Sequence, residues 1–454
     1  MPRKVNALLP QPSFSEPVFS EGVPTADPTG FKVTPEDEQL YNGIEDLLKK
    51  DVVGFPASRG APQDVLSLES TWGSHGSEVI KSIQAAGHIV FHAIGDSGAS
   101  SAKSFPDEIK VADEVTNDFH SSDVGERPAF LYHLGDLVYN FGESEYYYDQ
   151  FYDPFRDYPA PILAIPGNHD SFIVPNTPSG QEPLTIFTRN FCASKPVVTR
   201  EAGSLHRTAM TQPGVYFTLD APFVRIIGLF SNALEDPGVL SSENGKWKAV
   251  PDVQLKFLEA QLGRIKAENF AGALLLAVHH PPFSYATQTT RTKGSSGGKH
   301  QGNSVMLGQI DEICKAQHVY PHAFLSGHAH NYQRYTRSLA FDNKQISVPF
   351  VVCGDSGHNV NPLVRGTRNG QKASEPADEA DVGYLDTSPI VQRKGLVLNK
   401  HDQRNYGYLR ILVNAKQLII EFHPVTQGSR NAGVDQVTVD LASHSVVKAA
   451  RRGR

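Results

Sequence analysis

His88-Ile89-Val90-Phe91-His92-Ala93-Ile94-Gly95-Asp96-Ser97-Gly98 is the stretch on which the fold turns. A mostly apolar run stops at a Gly-Asp-Ser-Gly loop, without the alternation that a strand with one wet face would show. Such a run, short and bounded by turn residues, reads as a strand buried on both faces. The same pattern returns at 130–134 before Gly135-Asp136-Leu137-Val138-Tyr139, and at 162–165 before Gly167-Asn168-His169-Asp170. It returns again at 274–278 before His279-His280-Pro281, and at 323–325 before Gly327-His328-Ala329-His330. Helical stretches fall between these runs. In 253–266, Leu255, Leu258, Leu262 and Ile265 recur at spacings of three and four, one face of a helix. Buried strands alternating with helices predict an α/β layered core. Two hairpin spacings, 215–220 with 223–230 and 408–413 with 418–422, make the sheet content mixed rather than purely parallel.

Each core run ends in side chains that bind cations. In open α/β sheets, sites form in the crevice beyond the carboxyl ends of the strands, so these loops are expected to converge. A single Gly-Asp or a lone His would mean little, because such residues usually cap turns or satisfy cores. Together, Asp96, Asp136, Asn168, Tyr139, His328, His330 and one of His279 or His280 offer two carboxylates, an amide oxygen, a phenol and three imidazoles. That is enough for two cations sharing one bridging ligand. The glycines before Asp96, Asp136, Asn168 and His328 are expected to let the backbone turn sharply. His328 and His330, two apart on an extended segment, would point the same way. His92 and His133 lie inside runs and read as core residues. His358, in Gly354-Asp355-Ser356-Gly357-His358, follows a buried strand and could line the same crevice, a turn residue being the preferred reading.

The rest of the chain constrains the reading from outside. The 454 residues are 39% hydrophobic and 20% charged, an ordinary globular composition that excludes wholesale disorder. Acidic residues, 49, outnumber the 42 basic ones, so the net charge of −7 gives no general support for nucleic-acid binding. Cys192, Cys314 and Cys353 are too few and too scattered for a disulfide framework. With Pro10 and Pro12 interrupting the N-terminal apolar stretch and no run long enough to span a bilayer, a cytoplasmic protein without membrane association is expected. Residues 1–86 read as an N-terminal extension, with one amphipathic helix starting at Thr34-Pro35. Residues 87–345 form the expected core and 346–454 add strands that complete it. The stretches 284–304 and 362–403, rich in Gly, Ser, Thr and Lys, read as lids or disordered insertions, disorder being the default; Arg291, Lys293, Lys299 and His300 of the first could engage an anionic substrate, with solubilising charge the preferred reading.

The ordered set G-D, G-D, G-N-H, H and G-H-x-H resembles the calcineurin-like metallophosphoesterases. Gly98 stands where most of that superfamily has His, a feature shared with purple acid phosphatases. Tyr139, three residues after the second Asp, and the extension His328-Ala329-His330-Asn331-Tyr332-Gln333-Arg334 are similar to theirs as well. The resemblance implies a four-layer α/β/β/α sandwich with two mixed sheets. It also implies Fe(III) held by Asp96, Asp136, Tyr139 and His330. A second ion, Fe(II), Zn or Mn, would be held by Asp136, Asn168, His279 and His328, with Asp136 bridging. The ligand resembles the His two positions before Pro281, which favours His279 over His280. His169 would act on the phosphate or the leaving group rather than on metal. The implied activity is hydrolysis of a small phosphomonoester, the alternatives being a phosphodiesterase or nuclease on the same site, or a non-catalytic scaffold. A trypsin-like reading of Gly-Asp-Ser-Gly lacks its companion motifs. A P-loop reading of Gly294 to His300 is one residue short, with His300 where Ser or Thr should stand.

Overall fold

The computed structural model describes residues 16–19, 64–171, 184–285, 300, 302–363, 367–368, 371–372, 380–381, 395–425 and 433–447. The helix expected after Thr34 lies outside them, as do most of the two long loops. Two large mixed sheets form the centre, as the sequence reading expected. The first has nine strands, in the order Val65–Ser67, Phe217–Ala221, Val224–Leu229, Ala273–Val278, Ala323–Ser326, Lys344–Cys353, Tyr332–Phe341, Leu396–Asp402 and Ala380–Asp381. The second has seven, in the order Ser445–Val446, Asp435–Asp440, Gln417–Val425, Tyr406–Asn414, His88–Ile94, Leu131–His133 and Ile162–Ala164.

Within each sheet the apolar runs lie side by side and parallel. His88–Ile94 pairs with Leu131–His133, which pairs with Ile162–Ala164. In the other sheet Val224–Leu229, Ala273–Val278, Ala323–Ser326 and Lys344–Cys353 run the same way. Both expected hairpins are present, as Phe217–Ala221 with Val224–Leu229 and as Tyr406–Asn414 with Gln417–Val425. The second hairpin joins the core by pairing antiparallel to His88–Ile94.

The inner faces of the sheets meet through aromatic side chains. Tyr332 of one stacks on Phe422 of the other at 3.9 Å, and Tyr132 lies 6.2 Å from Phe217. Helices close the sandwich. Phe105–Asn117 starts with a proline in its first turn, where the missing N–H has no helical partner to lose. Ser304–Gln317 is capped by Asn303, whose side chain accepts from Val305 N and Met306 N. Val253–Ala267 buries Phe257, Leu258, Leu262 and Ile265. The expected face is thus rotated slightly, with Phe257 inside and Leu255 only partly covered. Gln254 and Gln261 are buried on that same side. The Gln254 amide explains its place: it donates to Phe230 O at 2.7 Å and accepts from Phe230 N at 2.8 Å, completing the backbone bonding where a strand ends. Gln212 does the same for Ala164 on the edge strand. No helix among the described residues is long and apolar enough to cross a membrane.

Candidate metal centre

The loops at the carboxyl ends of both parallel sets meet over the seam between the sheets. Asp96, Asp136, Tyr139, Asn168, His279, His328 and His330 come together there, each 7% exposed or less. The Tyr139 hydroxyl lies 3.1 Å from both Asp96 Oδ1 and Asp136 Oδ2, and 3.4 Å from His330 Nε2. On the other side of Asp136, His279 Nε2 is 3.3 Å from Asp136 Oδ2 and 3.0 Å from Asn168 Oδ1. His328 Nδ1 is 3.1 Å from the same Asn168 oxygen. The arrangement thus has two lobes that share Asp136. Its second lobe contains Asp136, His279 and His328, whose donor atoms lie within 4.8 Å of one another.

Three observations test whether these residues suit metal ions. Asp96 and Asp136 are buried carboxylates, and among the described residues no Lys or Arg pairs with either; the groups facing them are imidazoles, the Tyr139 hydroxyl and backbone N–H donors. Buried anions of this kind require a compensating cation. Among the described residues, buried His328 Nε2 has no hydrogen-bond partner, with Asp236 Oδ1 3.9 Å away. Lastly, Asp96, Asp136 and His328 adopt left-handed backbone, with φ of 55°, 56° and 67°. That conformation costs a residue with a Cβ about 1–2 kcal/mol, and such strain collects at functional sites. The donor set fits metal ions.

Two local expectations are corrected. Of the glycines preceding these residues, only Gly135 has positive φ, at 104°; the sharp turn belongs to the aspartates and His328 themselves. The glycines instead leave room. A Cβ on Gly167 would overlap Asp136 Oδ1, one on Gly327 would lie 2.5 Å from Asp96 Oδ2, and one on Gly135 2.6 Å from His279 Nδ1. The segment carrying His328 and His330 is not extended but doubles back twice, with Ala329 N donating to Gly327 O and Asn331 N to Ala329 O. The two rings therefore serve different lobes.

Electrostatics follow from burial and the close pairing of acids with imidazoles. Burial works against charging His279, yet Asp136 raises its pKa to about 9. Burial would likewise raise Asp136, but His279 and His169 hold it well below the usual carboxylate range. Asp96 is pushed up to about 7, first by burial. His279 faces Asp136, whereas His280 is occupied at both nitrogens, by Ser231 Oγ at 2.7 Å and Leu234 O at 2.6 Å. His169 sits just outside the cluster. Its backbone N donates to Asp136 Oδ1 at 2.9 Å, and its Nδ1 donates to Asn140 O at 2.9 Å.

His92 and His133 are fully buried core residues, bonded to Asp118 and to Ser97 respectively. Three other residues were not assigned to the site from the sequence. Asp170 accepts from the backbone N–H groups of Asp136, Leu137, Val138 and Gly167, pinning two loops to each other. Its place directly after Asn168-His169 was the available signal. His300 is not a solvated loop residue. It is 5% exposed, 3.2 Å from Glu235, with its ring 4.7 Å from His328 and 4.9 Å from His330. His358 is not a plain turn residue either, since its ring stacks on Tyr139 at 3.6 Å.

The model of the calcineurin-like phosphoesterase family matches residues 89–332, just over half of the chain. The chain belongs to that family. Membership implies metal-dependent phosphoester hydrolysis, and the matched span contains every residue of the cluster. Among solved structures, the calcineurin-like phosphoesterase chain is similar to one titled "Structure of PhoD", at 12% identity, TM-score 0.46, covering 80% of this chain and 72% of that one. It is also similar to a conserved uncharacterized protein from Streptococcus pneumoniae TIGR4, at 8% identity, TM-score 0.26, covering 77% and 98%. A third is a Vps29 single mutant from Entamoeba histolytica, at 10% identity, TM-score 0.25, covering 78% and 99%. No curated protein matches the chain.

Proposed function

We propose that this calcineurin-like phosphoesterase is a binuclear hydrolase of purple acid phosphatase type that acts on a small phosphomonoester. The observation that carries the reading is the Tyr139 hydroxyl, buried between Asp96 and Asp136 and within reach of His330. Asp96, Asp136, Tyr139 and His330 would hold Fe(III). Asp136, Asn168, His279 and His328 would hold the second ion, Fe(II), Zn or Mn. Two bound cations supply charge that neutralises phosphoryl oxygens and makes hydroxide available from water near neutral pH.

The protein's own groups account for the rest. Asp136 belongs to both lobes and offsets charge from both ions. His169, fixed through Nδ1 by Asn140 O and through its backbone N by Asp136, would bond a phosphate oxygen or give a proton to the leaving group. His300, held by Glu235, faces the cluster from the His328 and His330 side. Burial and the two aspartates hold the free Tyr139 phenol well above its ordinary pKa. Tyr139, if it held a trivalent cation, would instead be favoured as the phenolate.

Iron-loaded, oxidised protein is therefore expected to show a visible charge-transfer band that Tyr139→Phe abolishes, and to hydrolyse phosphomonoesters faster than diesters. A colourless iron protein, or a band that survives Tyr139→Phe, rules out the iron-tyrosinate site. Faster diester hydrolysis overturns the substrate class.

A further inference from the structure

The second Gly-Asp-Ser-Gly, at 354–357, has no part in the chemistry above, yet it lies directly against the first. Ser356 N donates to Gly95 O at 3.2 Å, Gly95 N donates to Ser356 Oγ at 3.3 Å, and His358 N donates to Asp96 O at 2.9 Å. The approach is close enough that a Cβ on Gly357 would overlap Ser97 O, and one on Gly354 would lie 2.9 Å from Asp96 Oδ2. The segment leaving Lys344–Cys353 is thus a strap laid across the Asp96 loop.

That strap delivers His358. Its ring is nearly parallel to the Tyr139 ring, 13° between planes and 3.6 Å between centroids. Its Nδ1 lies 2.9 Å from Gly98 O, and because a carbonyl only accepts, Nδ1 carries the proton and donates. The imidazole is therefore fixed by a hydrogen bond in its own plane while its face covers the phenol. The strap continues to Asn361, whose N donates to His330 O at 2.7 Å and whose amide lies 3.2 Å from His330 Nδ1. Both non-carboxylate side chains of the Tyr139 lobe are held by this one segment. His279 and His328 take their hydrogen bonds from other loops, at Leu134 O and Asn168.

We infer that His358 is a positioning residue for Tyr139: it holds the phenol plane so that the hydroxyl stays between Asp96 and Asp136, and it tightens the ion at that lobe alone. The inference rests on the iron-tyrosinate reading above. Its test measures the visible band and the rate at which each ion leaves the fully loaded protein into excess chelator. For His358→Ala the band maximum should shift, and iron should leave about 2- to 10-fold faster, the range that an aromatic pair supports. Release of the second ion should stay at the wild-type rate. His358→Phe, which keeps a flat ring but loses the bond to Gly98 O, should lie nearer wild type than the alanine variant in both readouts. It also serves as the test if His358→Ala does not fold, which thermal unfolding of the chelated proteins reveals. Equal loosening of both ions, an unchanged band and iron release in His358→Ala, or a phenylalanine variant as altered as the alanine one overturns the inference. A colourless wild type overturns the underlying reading instead, and is seen before any variant is made.

Discussion

Gly95-Asp96-Ser97-Gly98 and Gly354-Asp355-Ser356-Gly357 share four residues in the same order, and each follows a core strand. Asp96 turns through φ 55° and sends its carboxylate to Tyr139 and His328 N. Asp355 makes no such turn. Its Oδ1 lies 3.5 Å from Cys353 Sγ, and among the described residues its Oδ2 has no hydrogen-bond partner. Burial, followed by repulsion from Asp402, raises its pKa well above the usual carboxylate range. The serines differ too. Ser97 bonds His133 at 2.9 Å, whereas Ser356 joins Gly95 N to Gly407 O. The backbone path at the strand end, not the tetrapeptide, decides which aspartate reaches the crevice.

The aspartates are expected to differ most. Asp96→Asn should lower hydrolysis by more than about 100-fold and empty the Tyr139 lobe, because removal of even an outer-shell partner costs about 10- to 100-fold in metal affinity or activity. Asp355→Asn should keep both ions. Equal metal loss in the two variants, by elemental analysis, would break the distinction.

The serines should behave alike and unlike nucleophiles. Ser97→Ala leaves the His133 Nε2 proton unpaired, and Ser356→Ala does the same to Gly95 N, each costing about 1–3 kcal/mol of stability. Steady-state rates of the folded variants should stay within a few-fold of wild type, and a serine-reactive phosphonate should not inhibit. Abolished turnover in Ser97→Ala with metals retained would restore the protease-like reading of the motif.

The smallest effect concerns pH. Asp355 titrates in the fold above its unfolded value of 3.8, so between those two pKa values the native state binds the extra proton. Its contribution is complete below 3.8 and is lost as pH rises through the folded pKa, with a limiting slope of about 1.4 kcal/mol per pH unit. Chemical denaturation of chelated protein should show this loss in wild type and a flatter profile in Asp355→Asn. Identical profiles would mean that Asp355 ionises freely.

How much of this was legible varied with the range of the interaction. Buried strands were visible because a run covered on both faces has no alternation, and each ended close to where its glycine stands. The residues of the crevice were visible as a group because each directly follows its own strand. What was hidden depended on other segments. His300 reaches the centre from a long loop with nothing beside it in sequence to mark its neighbours, and His358, although it follows a core strand, carries no mark that places its ring on Tyr139. The glycines were misread because the space they leave belongs to side chains of other loops, such as Asp136 over Gly167. The helix face at Val253–Ala267 was misjudged because Gln254 and Gln261, polar by type, are buried there.

The central claim is that one carboxylate, Asp136, serves both lobes of a two-ion centre. Metal content per chain of wild type and Asp136→Asn, purified side by side and measured by elemental analysis, tests it most directly. The account predicts two ions in wild type and loss from both lobes in the variant, with activity abolished. Near-normal occupancy of both lobes in Asp136→Asn would contradict it.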